Sequence, residues 1–103
     1  MIYVSTRGQA PTLRFDEVLL TGLARDGGLY VPESWPKFSK AEIRSFRGLS
    51  YSDLAVRVMI PYLGNTISEV TFSKMISDTY AEFGHPAIAP LKQMGSNDWV
   101  LEL

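Results

Sequence analysis

Ile2-Tyr3-Val4-Ser5-Thr6-Arg7-Gly8 stands at one end of the first third of the chain, and Asp26-Gly27-Gly28-Leu29-Tyr30-Val31-Pro32 at the other. Ile2, Tyr3 and Val4 are strand formers, and Gly8 and Pro11 close that segment. Between the two stretches, Phe15, Val18, Leu19 and Leu23 recur at three- and four-residue spacing, which predicts a helix over 15–24. Asp16 and Glu17 sit at the positive end of its dipole, and Arg25 near the other end. Asp26-Gly27-Gly28 is expected to stop this helix, because glycine accepts a left-handed backbone and a tight reversal. Leu29, Tyr30 and Val31 then read as a short extended segment ended by Pro32.

Working outward, Trp35-Pro36 marks a loop over 34–38, since the residue before proline avoids the helical region. Ser39 and Glu42 form a capping-box pattern ahead of a short helix through Arg47, ended by Gly48. Ser50 and Asp53 repeat the pattern ahead of a third helix, with Leu54, Val58, Met59 and Leu63 expected on its buried side. Pro61 removes one helical hydrogen bond, so a kink or loose last turn is expected before the Gly64-Asn65 stop. Phe72, Met75, Ile76, Thr79, Tyr80 and Phe83 make one continuous face of a helix over 69–83, with Gly84 as its terminator. His85-Pro86 and Pro90 force an extended exit, 95–98 is a turn, and Trp99-Val100-Leu101 begins a strand. Together these elements predict a small, helix-rich α+β domain of about four helices and a few short strands. Ending on strand residues leads to the expectation that more chain follows Leu103.

Composition bounds the chemistry. The 103 residues carry a net charge of -1 and 46% hydrophobic residues, which argues for one folded domain and against disorder. The near-neutral balance argues against a nucleic-acid partner. No apolar run approaches the roughly 20 residues a membrane span needs, so no membrane partner is expected. With no Cys and a single His, His85, thiolate catalysis, cysteine metal sites and sites of two imidazoles are excluded. A cysteine-free chain without a secretory pattern suits a reducing cytoplasm.

Ser5-Thr6-Arg7-Gly8 is the one cluster with the chemistry of an anion site. Arg supplies planar donors, and Gly lets backbone N–H groups approach. A strand end with turn-forming hydroxyls explains the same residues. It is neither a Walker loop nor a dinucleotide fingerprint. Asp26-Gly27-Gly28 reads as an anion nest or, more simply, as a helix stop. His85 between Gly and Pro reads as a loop histidine, and the 72–83 stripe as core.

Taken in order, Tyr3-Val4-Ser5-Thr6-Arg7-Gly8, Phe15 with Val18-Leu19-Leu20, Gly22-Leu23-Ala24 and Asp26 to Pro32 resemble the start of the threonine synthases. Trp35-Pro36, Tyr62-Leu63-Gly64, Phe83 with His85-Pro86, Pro90-Leu91 and Leu101-Glu102-Leu103 continue the resemblance over essentially the whole chain. It is best for the microbial and fungal type. It implies that 1–103 is the N-terminal domain of a larger α/β enzyme of the fold-type II pyridoxal-phosphate class. Such enzymes convert O-phospho-L-homoserine and water to L-threonine and phosphate.

In that family, Leu-Glu-Leu is followed by a Phe-His-Gly-Pro-Thr segment and soon by the lysine that carries the cofactor. Lys37, Lys40, Lys74 and Lys92 do not match that position, and the loop for the cofactor phosphate also falls beyond Leu103. The resemblance therefore implies no catalytic, cofactor-binding or metal residue within 1–103, and a fragment inactive alone that packs on the catalytic domain. Ser5, Thr6 and Arg7 are the candidate contacts to the phosphorylated substrate. Two rivals remain at this point: a threonine-synthase-like phospho-lyase with another phosphorylated substrate, and a stand-alone, non-enzymatic helical interaction module.

Overall fold

The computed structural model describes residues 1–103 and is an α+β arrangement of four helices and five short strands. Strand β1 (Ile2–Ser5) is central in a three-stranded antiparallel sheet, between β2 (Leu13–Arg14) and β3 (Tyr30–Pro32). Tyr3 lies opposite Leu13 on one side and Pro32 on the other, and Ser5 opposite Tyr30. Pro32 is tolerated because β3 is an edge strand, where a missing N–H breaks no ladder.

Helix α1 (Phe15–Thr21) is a turn shorter than its periodicity predicts. Gly22 stops it, at φ +72°, with its N–H donating to Val18 O at 3.0 Å. Gly22 takes the left-handed role expected of Asp26-Gly27-Gly28, and Leu23 and Ala24 leave the helix. Helix α2 (Lys40–Ser45) has the expected reciprocal cap. Ser39 N donates to Glu42 Oε2 at 2.7 Å, and Glu42 N donates to Ser39 Oγ at 3.2 Å. The Ser39 side chain, then the Ser39 backbone N–H, favour the ionised Glu42 carboxylate and lower its pKa. At α3 (Tyr51–Leu63), Asp53 N bonds Ser50 Oγ, but the shorter Asp53 carboxylate accepts from the Ser50 hydroxyl at 2.7 Å. Ser68 caps α4 (Glu69–Ala81) through Thr71 N.

Helices α3 and α4 pack on each other and hold the core: Val56 and Leu63 from one, Phe72 and Ile76 from the other. The buried face of α3 therefore runs through Val56, Ile60 and Leu63, at i, i+4 and i+7. Val58 and Met59, expected inside, are exposed on its flank. The helix continues through Pro61 to Leu63. Helix α4 ends at Ala81, two residues before the expected stop. Gly84 is not left-handed. The last turn instead tightens, with Glu82 N bonded to Thr79 O and Phe83 N to Tyr80 O. Of the expected α4 stripe, Phe72 and Ile76 are buried and Tyr80 half-buried, while Met75, Thr79 and Phe83 stay open to solvent. A link through Ile88, at φ +59°, leads to a hairpin of β4 (Leu91–Gln93) and β5 (Trp99–Leu101).

Two contacts join the sheet to the helices. Tyr3 Oη donates to Tyr62 O at 2.9 Å, and the Tyr3 ring meets Phe15 at 6.3 Å between centroids. Burial, then the neighbouring Tyr62, raises the Tyr3 pKa. Phe15 in turn packs against the α3–α4 core.

Only 9 of the 103 residues are buried, so most of the apolar fraction remains uncovered. The radius of gyration is 16.8 Å, against about 13 Å for a compact chain of this length. Leu19 and Leu20 (89% exposed) of α1, and Leu23 just beyond it, present apolar side chains to solvent. Both strands of the hairpin are exposed throughout. No helix is long and apolar enough to cross a membrane.

Leu63 is 2% exposed at the centre of the core. Leu63→Ala is expected to cost about 3 kcal/mol, read as a lower urea midpoint. Val70→Ala, at an 83% exposed position, should change stability by less than about 0.5 kcal/mol.

Candidate functional site

The end of β1 and the turn before β3 meet at one carboxylate. Asp26 Oδ1 accepts from Ser5 Oγ at 2.7 Å and from Gly28 N at 2.9 Å. Asp26 Oδ2 accepts from Gln9 N and Ala10 N, each at 2.9 Å. An Asp-Gly-Gly turn favours this, because a short carboxylate can reach backbone N–H groups two residues on. Partial desolvation alone would raise the Asp26 pKa. The bonds from Ser5, Gly28, Gln9 and Ala10 outweigh it and hold the carboxyl at about 2, below its ordinary 3.8.

The three candidate residues face different ways. Ser5 is buried, its hydroxyl donating to Asp26 and accepting from Arg7 N at 3.1 Å. Thr6 is exposed; its N donates to Leu29 O at 2.8 Å and its Oγ1 accepts from Leu29 N at 3.0 Å. That leaves the Thr6 hydroxyl proton free for an acceptor outside. Arg7 is exposed, and one Nη1 proton goes to Asp26 O at 3.0 Å. No carboxylate of the chain forms an ion pair with it. Its remaining guanidinium protons can therefore serve a planar or tetrahedral anion.

Two glycines make the arrangement possible. Gly27, at φ +76°, lies under the guanidinium, and a Cβ there would come within 3.0 Å of Arg7 Nη1. Gly28 is buried where a Cβ would collide with Ser5 Oγ and press on Asp26 Oδ1 and Thr6 Oγ1. The reading of Asp26-Gly27-Gly28 as a helix stop missed this role. The available signal was a carboxylate beside two glycines, facing a strand end rich in donors.

Other candidate groups do different work. Ala87 N donates to His85 Nδ1 at 3.0 Å, closing the turn before Ile88. A groove of about 400 Å³ between α2 and α3 is lined by Phe38, Phe46, Leu49 and Ile60, with Glu42 and Arg57 among its charged groups.

A family model described as "Threonine synthase N terminus" matches residues 2–80. The chain belongs to the threonine synthase N-terminal family. It is 55% identical over 103 residues to the threonine synthase of Pseudomonas aeruginosa, covering all of this chain and 22% of that protein. It is 34% identical over 104 residues to threonine synthase-like 2 of the rat, covering all of this chain and 21% of the relative. Among solved structures it resembles the PLP-bound threonine synthase of Brucella melitensis, with TM-score 0.91 and 48% identity. That match covers 99% of this chain and 22% of the other. The chain thus spans about a fifth of the length of the relatives it matches.

The residues of 1–103 do not fit the cofactor of the Brucella threonine synthase. Lys74 Nζ is paired with Asp78 at 2.6 Å and Lys92 Nζ with Glu102 at 3.6 Å, both well exposed. Lys37 and Lys40 are exposed, and no lysine lines the α2–α3 groove. A lysine that holds an aldehyde cofactor needs a shielded amine with a depressed pKa.

Two outcomes follow for the hydrogen bonds around Asp26. Gly28→Ala should lower the melting temperature more than Gly95→Ala, whose Cβ would meet only the Asp98 side chain. Because the folded Asp26 pKa lies below the unfolded one, its contribution to stability is full above about 3.8 and is lost as pH falls toward about 2. Urea midpoints measured down to that pH should decline less steeply for Asp26→Asn than for the native chain.

Proposed function

We propose that residues 1–103 form the N-terminal domain of a cytoplasmic threonine synthase. The full enzyme converts O-phospho-L-homoserine and water to L-threonine and phosphate, using pyridoxal phosphate held outside this segment. The carrying observation is the likeness of the entire chain, in sequence and backbone, to threonine synthases of which it forms about a fifth. When bound, the cofactor supplies the electron sink for the replacement chemistry. This domain supplies none of that chemistry.

Its uncovered apolar surfaces support a docking role. Leu19 and Leu20 of α1, Leu23 just after it, and Trp99, Val100 and Leu101 of β5 are exposed. A two-stranded hairpin is at best marginally stable unless it packs on something else. We assign these faces to the catalytic domain of the same chain. A cysteine-free sequence is compatible with the cytoplasm.

Ser5, Thr6 and Arg7 act as one substrate-binding unit in this reading. Ser5 fixes the strand end from inside, while the Thr6 hydroxyl and the Arg7 guanidinium meet the substrate phosphate. Rat threonine synthase-like 2 supports a second reading, a related phospho-lyase with another phosphorylated substrate. Phosphate release from O-phosphohomoserine by the full-length enzyme, compared with other phosphorylated hydroxy amino acids, separates the two.

In the full-length enzyme, Arg7→Ala should raise KM for O-phosphohomoserine about tenfold, the value of one charge-assisted contact. Unchanged kinetics with a lowered melting temperature would favour a purely structural role. The 1–103 fragment mixed with pyridoxal phosphate should retain no cofactor after borohydride treatment and dialysis.

A further inference from the structure

The Arg7 guanidinium is exposed, yet its direction is fixed, and the residue that fixes it lies 19 positions away. Arg7 Nη1 donates to the Asp26 backbone carbonyl, and the guanidinium rests over Gly27 where any side chain would crowd it. The Asp26 carbonyl is itself held because the Asp26 side chain is tied on both sides. One oxygen bonds Ser5 Oγ and Gly28 N; the other bonds Gln9 N and Ala10 N. The same Ser5 Oγ accepts from Arg7 N, so backbone and side chain of Arg7 are fixed from one centre.

We propose that Asp26 is a positioning residue for anion recognition: it aims the Arg7 guanidinium at the phosphate of the substrate. The assignment rests on the reading of Arg7 as a substrate contact. Asp26 touches no substrate. It acts by removing orientational freedom that a long, exposed arginine would otherwise lose on binding, and such ordering is a direct cost to affinity. The chemistry demands a carboxylate. All four bonds to Asp26 come from donors, and an ionised carboxylate is acceptor-only with room for four. Asparagine has the same shape but replaces one oxygen with an NH₂ group. Facing the Gln9–Ala10 pair, that group would lose both bonds; facing Ser5 and Gly28, it would lose the Gly28 bond and force the Ser5 hydroxyl to reverse and accept. Isosteric replacement thus loosens the seat of Arg7 without removing bulk or any part of the guanidinium.

The test is a double-mutant cycle in the full-length, cofactor-loaded enzyme, using O-phosphohomoserine as substrate and inorganic phosphate as competitive inhibitor. Asp26→Asn is expected to raise KM about fivefold and to weaken phosphate inhibition in parallel, with kcat changed less than about twofold. Added to Arg7→Ala, it should raise KM no further, because there is no guanidinium left to aim. A rise with Arg7→Ala but none with Asp26→Asn overturns the positioning role and leaves Arg7 as a contact. Multiplying effects in the double variant also overturn it. No rise with Arg7→Ala overturns the substrate reading and this inference together.

Where Asp26→Asn yields no folded holoenzyme, Gly27→Ala provides the same test from the other side. It crowds Arg7 Nη1 while keeping the carboxylate. A raised KM that is absent in the Arg7→Ala background supports the role, and an unchanged KM overturns it.

Discussion

A carboxylate that accepts four hydrogen bonds organises the first third of this chain. The donors on Asp26 come from a strand end (Ser5), a loop (Gln9, Ala10) and its own turn (Gly28). Ser5 and Gly28 are buried there beside the bond itself. A neutral or shorter group at position 26 would leave N–H groups without acceptors. Losing such partners costs more than the average hydrogen bond contributes. The meeting of β1 and β3 at Ser5 and Tyr30 is thus set by polar satisfaction at its edge as well as by the strand ladder.

This arrangement lets one short motif do two jobs. Ser5 and Arg7 point to opposite environments because β1 ends at Ser5 and Arg7 lies in the turn beyond it, outside the strand alternation that would put both on one face. The inward hydroxyl is saturated by protein, while the outward guanidinium keeps its charge free of any carboxylate. The rest of the domain presents apolar surface rather than reactive groups, and its lysines are surface ion pairs or free surface charges.

Much of the fold was legible because local chemistry governs it. The Ser39–Glu42 cap, the Gly48 stop at φ +82° and the Phe72–Ile76 face each depend on residues within a turn or two of one another. Readings that depend on distant partners went astray. The face of α3 is set by where α4 lies, so Val56 and Ile60 turned inward in place of Val58 and Met59. Gly22 ends α1 ahead of Asp26-Gly27-Gly28, and two bonds of the tight type end α4 without a left-handed Gly84. Strand β2 has only two residues and exists because β1 offers it a ladder. The Ser5-Thr6-Arg7 cluster was visible as chemistry, but its anchor at Asp26 was not, since nothing in local spacing links positions 5 and 26.

The bond from Tyr3 to Tyr62 O closes a loop of 59 residues. Chain statistics put that closure at about 3–4 kcal/mol of lost entropy, whereas a single hydrogen bond returns only about 1 kcal/mol. The bond cannot nucleate the fold; it forms after the three-stranded sheet within the first 32 residues and the α3–α4 pair have each assembled from nearby sequence. Tyr3 then joins two units that are already built, with Phe15 burial supplying the rest of the closure energy. The seam between them is consequently a line along which the domain can open. Amide exchange at the Tyr3–Phe15–Tyr62 junction belongs to a sub-global opening in which sheet and helix pair separate as intact bodies.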